Sequence, residues 1–458
     1  MTSGGADTVA ANPIDAGEFG RRVRALGPFE TAPEIAVAVS GGPDSLCLAI
    51  LMHRWTAAIG GKTIGLIVDH GLRTNAHEEA LAVQRQLTAL GMSALVLRWT
   101  GEKPRQNVQA VARDARYGLL LDWCHDHGVI HLALGHHAAD QAETHLLRRR
   151  AGSGADGLAG MACVSERDGT RIIRPFLHVL PERLRATLTA EGLSWVDDPS
   201  NHDAKYVRTG LRHEIRATGT VLELRAEAKR YAMTRRTTDH RIAGLLAASV
   251  KLFPTGHAKV DADLLSDMEP GDGRRCLARI VSCVGALDYP PRTNQLEALR
   301  LDIVENGAGD GRTLGGCLFL RPNPRSLLVC REPGAATEIL PVYLDADATW
   351  DGRFKVRVEG ITDSTGLLTI CRLDDRAWGA LRRRFPDGAD DLAEFGGAGH
   401  LPAPARAALP VLCDLDGPCA LPHLPKQSTR PKIGCSPLRI SFQPHKPLAG
   451  TSFVIDGG

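Results

Sequence analysis

From about residue 31 to residue 217 the chain alternates two hydrophobic periods. Apolar, β-type runs fall at IAVAVS (35–40), TIGLIVDH (63–70), SALVLRW (93–99) and VIHLALGH (129–136). Between them, apolar residues recur at i, i+3 and i+4 in LCLAILMHRWTAAI (46–59), HEEALAVQRQLTALG (77–91) and VQAVARDARYGLLLDWCHDHG (108–128), the last two closing on a Gly cap. Strands alternating with helices predict a parallel sheet covered by helices, and right-handed crossovers make it a doubly wound α/β domain.

The pattern then changes. From 218 to 340 helical segments dominate, beginning with VLELRAEAKRYAMTRRTTDHRIAGLLAASV (221–250), which predicts a mainly helical central domain. Beyond 340, PVYLDADATW and RFKVRVEGI alternate apolar and polar residues, so a small α+β C-terminal domain (341–458) with a Pro-rich tail is expected. GGAGHLPAPARAA (396–408) reads as a surface loop, and residues 1–30 as an N-terminal extension.

Composition narrows the class. A chain of 458 residues, 43% hydrophobic and 24% charged, needs more than one core and has no stretch near the roughly 20 apolar residues a bilayer requires. The first thirty residues contain Asp and Glu without an apolar core, which argues against a targeting peptide and for the cytoplasm. Eleven Cys occur without a Cys-x-x-Cys; Cys276/Cys283 and Cys413/Cys419 have neither zinc nor redox spacing, so free thiols are expected and a structural metal is not. A net charge of +2 marks no polyanion partner by itself. The basic stretch around 229–241 reads first as a solvated face.

The candidate chemistry lies at strand ends. A buried strand running into Ser40, Gly41 and Gly42, with Pro43 as a first helical residue, aims backbone N–H groups and a helix dipole at one point, which suits an anion. Ser45 adds a hydroxyl. Asp44 would repel phosphate unless a divalent cation bridged them, so phosphate with Mg²⁺ is the simplest ligand. GGKT (60–63) resembles the end of a Walker A loop, but its first Gly would fall at Thr56 and a strand follows it. VDHGLR places Asp69, His70 and Arg73 at the same carboxyl edge. In LGHHAADQAETHLLRRRAGSGADGL (134–158), His137, Asp140 and Thr144 share a helix face with Glu143 beside them, and Arg148, Arg149 and Arg150 follow as a basic edge suited to phosphate or RNA. His136, His137 and Asp140 have no third partner at zinc spacing.

SGGPDS, VDHGLR, GHHAADQAETHLLRRRAGSGADGLAGM and WVDDPSNHDAKYVRTGLRHEI, in this order, resemble the tRNA(Ile)-lysidine synthetases of the N-type ATP pyrophosphatase (PP-loop) superfamily. The likeness covers about 31–217, the expected catalytic domain. It implies an enzyme that uses ATP and Mg²⁺ to join free L-lysine to C2 of the wobble cytidine of CAU-anticodon tRNA(Ile), through an adenylated cytidine. It further implies that Ser40, Gly41, Gly42, Pro43, Asp44, Ser45, Asp69 and His70 bind ATP, with Asp44 at the metal. Asp140 and one or both of Arg113 and Arg116 join Asp44 as catalytic residues, while Asp140, Glu143 and His137 receive lysine. Arg148, Arg149, Arg150, Arg208 and Arg212 are the tRNA-contact candidates, and a homodimer is left open. Two other readings share the fold. A 2-thiolating PP-loop enzyme is expected to carry paired cysteines, and a non-catalytic ATP- or RNA-binding copy to have lost Asp44, Asp140 or the arginines.

Overall fold

The computed structural model describes residues 11–458 except 73–74, 102, 104–107, 196–206, 310, 344–346, 359–367, 385–400, 422–437, 451–452 and 456–458. The chain divides into two compact units, Met1–His240 with Thr451–Gly458, and Arg241–Gly450.

The first unit is built on β1 (Glu34–Ala38), β2 (Lys62–Asp69), β3 (Ser93–Arg98), β4 (His131–Ala133), β5 (Val164–Arg167) and β6 (Thr170–Ile173). They form one six-stranded sheet in the order β3-β2-β1-β4-β6-β5, parallel throughout except for β5, which pairs antiparallel with β6. The β5–β6 hairpin goes unpredicted because its four-residue strands carry too little apolar signal. Side chains of β1 alternate between two cores: Ile35 and Val37 enter one, Ala36 the other. Both faces are therefore dry, and the strand reads as one apolar run.

The helices are α1 (Ala16–Arg24), α2 (Pro43–Ala58), α3 (Ala76–Ala89), α4 (Val108–Asp126), α5 (Ala138–Arg150), α6 (Ala155–Leu158), α7 (Pro181–Ala190), α8 (Val207–Thr218) and α9 (Val221–Ser249). α1, α2, α3 and α7 fill the first core with Phe19, Leu46, Val83, Leu87 and Leu184, and α4 fills the second with Tyr117, Leu120 and Leu121. α1 lies in the stretch assigned to an N-terminal extension, yet it is capped by Asp15, whose carboxylate accepts from the Glu18 amide at 2.8 Å. Its Phe19 packs edge-on against Phe176 at 5.8 Å, and such burial is worth about 1.5–3 kcal/mol. This turn thus belongs to the core.

The division at His240 falls inside the 29-residue α9, not at 217 or 340. The first half of α9 carries apolar residues into the first unit, Leu224 beside Ala142 and Leu146, and Ala232 beside Ala159. The second unit opens with β7 (Val250–Leu252), β8 (Ala258–Asp261), α10 (Ala262–Asp267), α11 (Pro270–Val284), α12 (Thr293–Asn306), β9 (Arg312–Leu314), β10 (Cys317–Asn323) and β11 (Ser326–Arg331). A five-stranded sheet, β7-β8-β11-β10-β9, thus shares the stretch expected to be mainly helical. Most of these strands have only three or four residues, too few to show a period of two. The remainder is β12 (Leu340–Val342), β13 (Asp347–Trp350), β14 (Phe354–Val358), β15 (Leu368–Arg372), α13 (Asp375–Arg384), α14 (Ala403–Arg406), β16 (Pro410–Asp414), β17 (Gly417–Ala420) and β18 (Leu438–Phe442), paired as β12-β15-β16-β17 and β13-β14-β18.

Candidate active site

The strand order fixes where a ligand can sit. The chain runs outward from β1 to β2 and β3, then returns to the other side of β1 as β4, so the topological switch point lies between the carboxyl ends of β1 and β4. The loop after β1 is SGGPDS; the segment after β4 is GHH. They touch directly, since a Cβ added at Gly135 would come 3.1 Å from the Asp44 and Ser45 backbone.

Ser45 organises the first loop. Its hydroxyl accepts from the Ser40 amide at 3.1 Å, donates to the Gly42 carbonyl at 3.1 Å and lies 3.1 Å from the Ser40 hydroxyl. Gly41 sits at φ +85°, and a Cβ there would meet Val83 Cγ2 at 2.7 Å. Only glycine fits both constraints. Pro43 begins α2, whose first N–H groups converge on the loop. Asp44 Oδ1 is buried without a partner among the described residues. A hard, unpartnered carboxylate oxygen is a fitting ligand for Mg²⁺.

The second segment supplies the charges. Asp140 caps α5 by accepting from the His137 amide at 2.9 Å, and the His137 imidazole lies 3.4 Å from Asp140 Oδ2 on one side and 3.4 Å from Asp44 Oδ2 on the other. Burial would lower the His137 pKa, but the two carboxylates raise it above its usual value. Asp140 resists its own burial and is lowered by His137, His136 and Arg212. His137 therefore lies between the Asp44 and Asp140 carboxylates, where the two loops meet.

Arg212 closes the site from α8, donating from Nε to Glu143 Oε1 at 2.5 Å and from Nη2 to Asp140 Oδ1 at 3.4 Å. α8 reaches this point because Leu211 and Ile215 pack with Ala142 and Leu146 of α5. Arg212, expected at tRNA, therefore meets the two carboxylates expected at lysine. Burial raises the Glu143 carboxyl and Asp140 adds to the rise, against the pull of Arg212.

The other candidates divide. Asp69 is buried and accepts from the Gly71 amide at 2.9 Å, with His77 Nδ1 3.0 Å away, so it shapes the turn after β2. His70 is half-buried, its Nδ1 unpartnered among the described residues, and burial with Arg116 nearby lowers its pKa. Arg113 and Arg116 both lie by the Tyr117 ring, at 5.4 and 5.7 Å. Arg148 donates to the Gly157 and Gly160 carbonyls at 2.8 Å each. Arg149 pairs with Glu227 at 3.2 Å and Arg150 with Glu214 at 2.6 Å, both on the surface. Arg208 stands on α8 with its side chain outside the described residues, as are Arg73 and most of WVDDPSNHDAKYV.

The sequence did not single out Arg174, which is buried with its Nη1 on the Ala162 carbonyl and the Ser165 hydroxyl, and it gave His136 no role beyond the metal reading set aside. Arg174 follows β6 directly, and burial drives the His136 imidazole down to about 3. The ten described cysteines are free thiols, and among the described residues no group of three or more His, Cys, Asp or Glu is arranged for a metal. No described helix is long and apolar enough to cross a membrane.

A parallel sheet with a glycine-serine phosphate loop at its switch point and an acidic helix start opposite defines a PP-loop ATP-using protein, and the PP-loop domain family model matches residues 17–219. Among curated relatives, tRNA(Ile)-lysidine synthase of Orientia tsutsugamushi (strain Boryong) is 31% identical over 350 residues, covering 74% of this chain and 78% of the relative. That of Ruegeria pomeroyi is 35% identical over 358 residues, covering 76% and 83%, and that of Methylobacterium nodulans 38% over 337 residues, covering 71% and 98%. The chain belongs to the tRNA(Ile)-lysidine synthase family.

Proposed function

We propose that the site adenylates the wobble cytidine of CAU-anticodon tRNA(Ile) and then exchanges the adenylate for lysine. The observation that carries this reading is the His137 bridge, which puts the phosphate loop and the α5 carboxylates in a single crevice. Cytosine O2 attacks the α-phosphorus of ATP, forming an O–P bond as the bond to the β-phosphate breaks. The ε-amine of lysine next attacks C2, and AMP leaves with O2.

The chain's own groups serve both steps. Backbone N–H donors of the Ser40–Gly42 loop and of the α2 start are fixed before the reaction, so they stabilise phosphate charge without reorganising. Mg²⁺, held at Asp44, would neutralise further phosphate charge there. Lysine enters mostly as the ammonium, which Asp140 suits because it stays ionised. Glu143, with its raised proton affinity, is the better acceptor of the proton lost before attack. Arg149 and Arg150, paired only with exposed carboxylates, can exchange those partners for RNA phosphates. These substrates suit a cytoplasmic protein.

The test is incorporation of radiolabelled lysine into an unmodified CAU-anticodon tRNA(Ile) transcript, with and without ATP, against elongator tRNA(Met). ATP-dependent labelling of tRNA(Ile) alone is expected. A folded protein that binds ATP and labels neither RNA would overturn the reading in favour of a binding module.

A further inference from the structure

Two cysteines 42 positions apart in the chain meet in the second unit. The sulfurs of Cys371 on β15 and Cys413 on β16 lie 3.2 Å apart. β15 and β16 are adjacent antiparallel strands, and their register sets Thr369 opposite Cys413 and Cys371 opposite Val411. The two thiols are therefore diagonal neighbours on one face of the sheet. Ile370 and Leu412, the positions between, turn to the other face and are fully buried.

Exposure separates this pair from the rest. Of the ten described cysteines eight are buried, and Cys371 and Cys413 alone are partly exposed. Burial pushes the thiols of Cys47, Cys124, Cys283, Cys317 and Cys330 up to about 12 and that of Cys276 to about 11, where almost no nucleophilic thiolate forms. Cys371 differs. A hydrogen bond with Cys413 holds its thiol below the usual value, against burial and the nearby Asp374. Cys413 moves the other way, raised by the same bond and by burial. One sulfur is thus suited to attack and the other to resolve.

We propose that Cys371 and Cys413 form a reversible oxidation site, a dithiol that hydrogen peroxide closes to a disulfide and a small-molecule dithiol reopens. The Cys371 thiolate attacks one peroxide oxygen, forming an S–O bond as the O–O bond breaks, and the departing oxygen takes a proton and leaves as water. The Cys413 sulfur then attacks the Cys371 sulfenic acid. The S–S bond forms as the S–O bond breaks, and the hydroxyl leaves as a second water with the Cys413 proton. Two thiols are oxidised and one peroxide is reduced. A disulfide bond is about 2.05 Å long, so the sulfurs have only about 1 Å to close. Diagonal cross-strand positions lie towards the long end of disulfide reach, and bridges at that limit are the readily reduced ones. The bond ties together the two ends of the segment that carries α13 and α14. It needs neither ATP nor RNA, so the site stands or falls independently of the reaction proposed above.

The experiment treats the full chain with hydrogen peroxide, alkylates the remaining thiols and maps peptides without reduction, for the wild type, Cys371→Ser, Cys413→Ser and Cys435→Ser. Cys435, outside the described residues, is the competing partner. The wild type and Cys435→Ser are expected to lose the mass of two hydrogens and to yield a linked Cys371–Cys413 peptide that dithiothreitol separates. The link should form at least about tenfold faster than any buried thiol is oxidised. Cys371→Ser should form no link, and Cys413→Ser should carry a sulfenic acid at Cys371 that dimedone traps. Should a serine variant fail to fold, the wild-type peptide map decides alone. Folded wild-type protein without the link would overturn the proposal, as would a link from either cysteine to Cys435 or one that forms only in urea.

Discussion

Arg212 and Glu143, 69 positions apart in the chain, meet at 2.5 Å and join α8 to the helix carrying the acidic residues. The pair does more than brace. Without the guanidinium, burial and Asp140 would raise the Glu143 carboxyl further. Arg212→Ala is therefore expected to protonate Glu143 at higher pH and to cost about 1–2 kcal/mol, a figure reduced because the Arg212 side chain is 35% exposed. Arg212→Ala with Glu143→Gln should recover most of that stability and none of the lysine-transfer rate. Thermal melts beside single-turnover assays check both halves; a double variant as unstable as Arg212→Ala would refute the coupling.

Asp140 has two tasks that one substitution separates. Asn keeps the α5 cap, because its side-chain oxygen also accepts from the His137 amide, but it has no charge for the lysine ammonium. Asp140→Asn should lower lysidine formation about a hundred- to ten-thousand-fold while the melting temperature and ATP affinity hold. Retained turnover would remove Asp140 from the chemistry.

The parts legible in the sequence are those with local causes. The loop at Ser40–Ser45 was readable because a strand, two glycines and a helix-starting Pro fall within one short stretch, and the Asp140 helix because its polar face follows a strand. Arg212 was found as a basic residue but assigned to tRNA, since nothing local says that Leu211 and Ile215 turn α8 onto α5. Asp69 was readable as a strand-end carboxylate, whereas its hold on the Gly71 turn depends on the backbone path beyond β2. The β5–β6 hairpin stayed hidden because its strands have four residues each and β6 pairs with β4, distant in sequence.

The two adjacent histidines should oppose each other in pH dependence. His136 is lowered to about 3, so the stability it contributes is present above the unfolded value of about 6.5 and is lost as pH falls below it. His137 is raised, so its contribution is full below about 6.5 and is lost as pH rises through its folded value. Between pH 6.5 and 5, His136→Gln should flatten the fall in stability by up to about 1.4 kcal/mol per pH unit. Above pH 6.5, His137→Gln should remove a decline present in the wild type. Melting temperatures from pH 5 to 9 for the three proteins distinguish the effects, and identical profiles would refute both assignments.

The segment 453–455 packs within the first unit. Cys163 donates its amide to the Val454 carbonyl at 2.8 Å and its thiol to the Ile455 carbonyl at 2.6 Å, while the Phe453 ring lies 4.6 Å from the Arg235 guanidinium. Phe453 and Ile455 are both buried. The Cys163 carbonyl in turn accepts the Arg174 amide at 2.8 Å, so the segment props the end of β6. Phe453→Ala should destabilise the first unit by about 3–5 kcal/mol, the cost of an emptied aromatic site. Ile455→Val, which keeps the backbone bonds and removes one methylene, should cost about 0.5–1.5 kcal/mol. Proteolysis of the first unit checks both variants, and a Phe453→Ala protein as resistant as the wild type would mean that the segment does not support the fold.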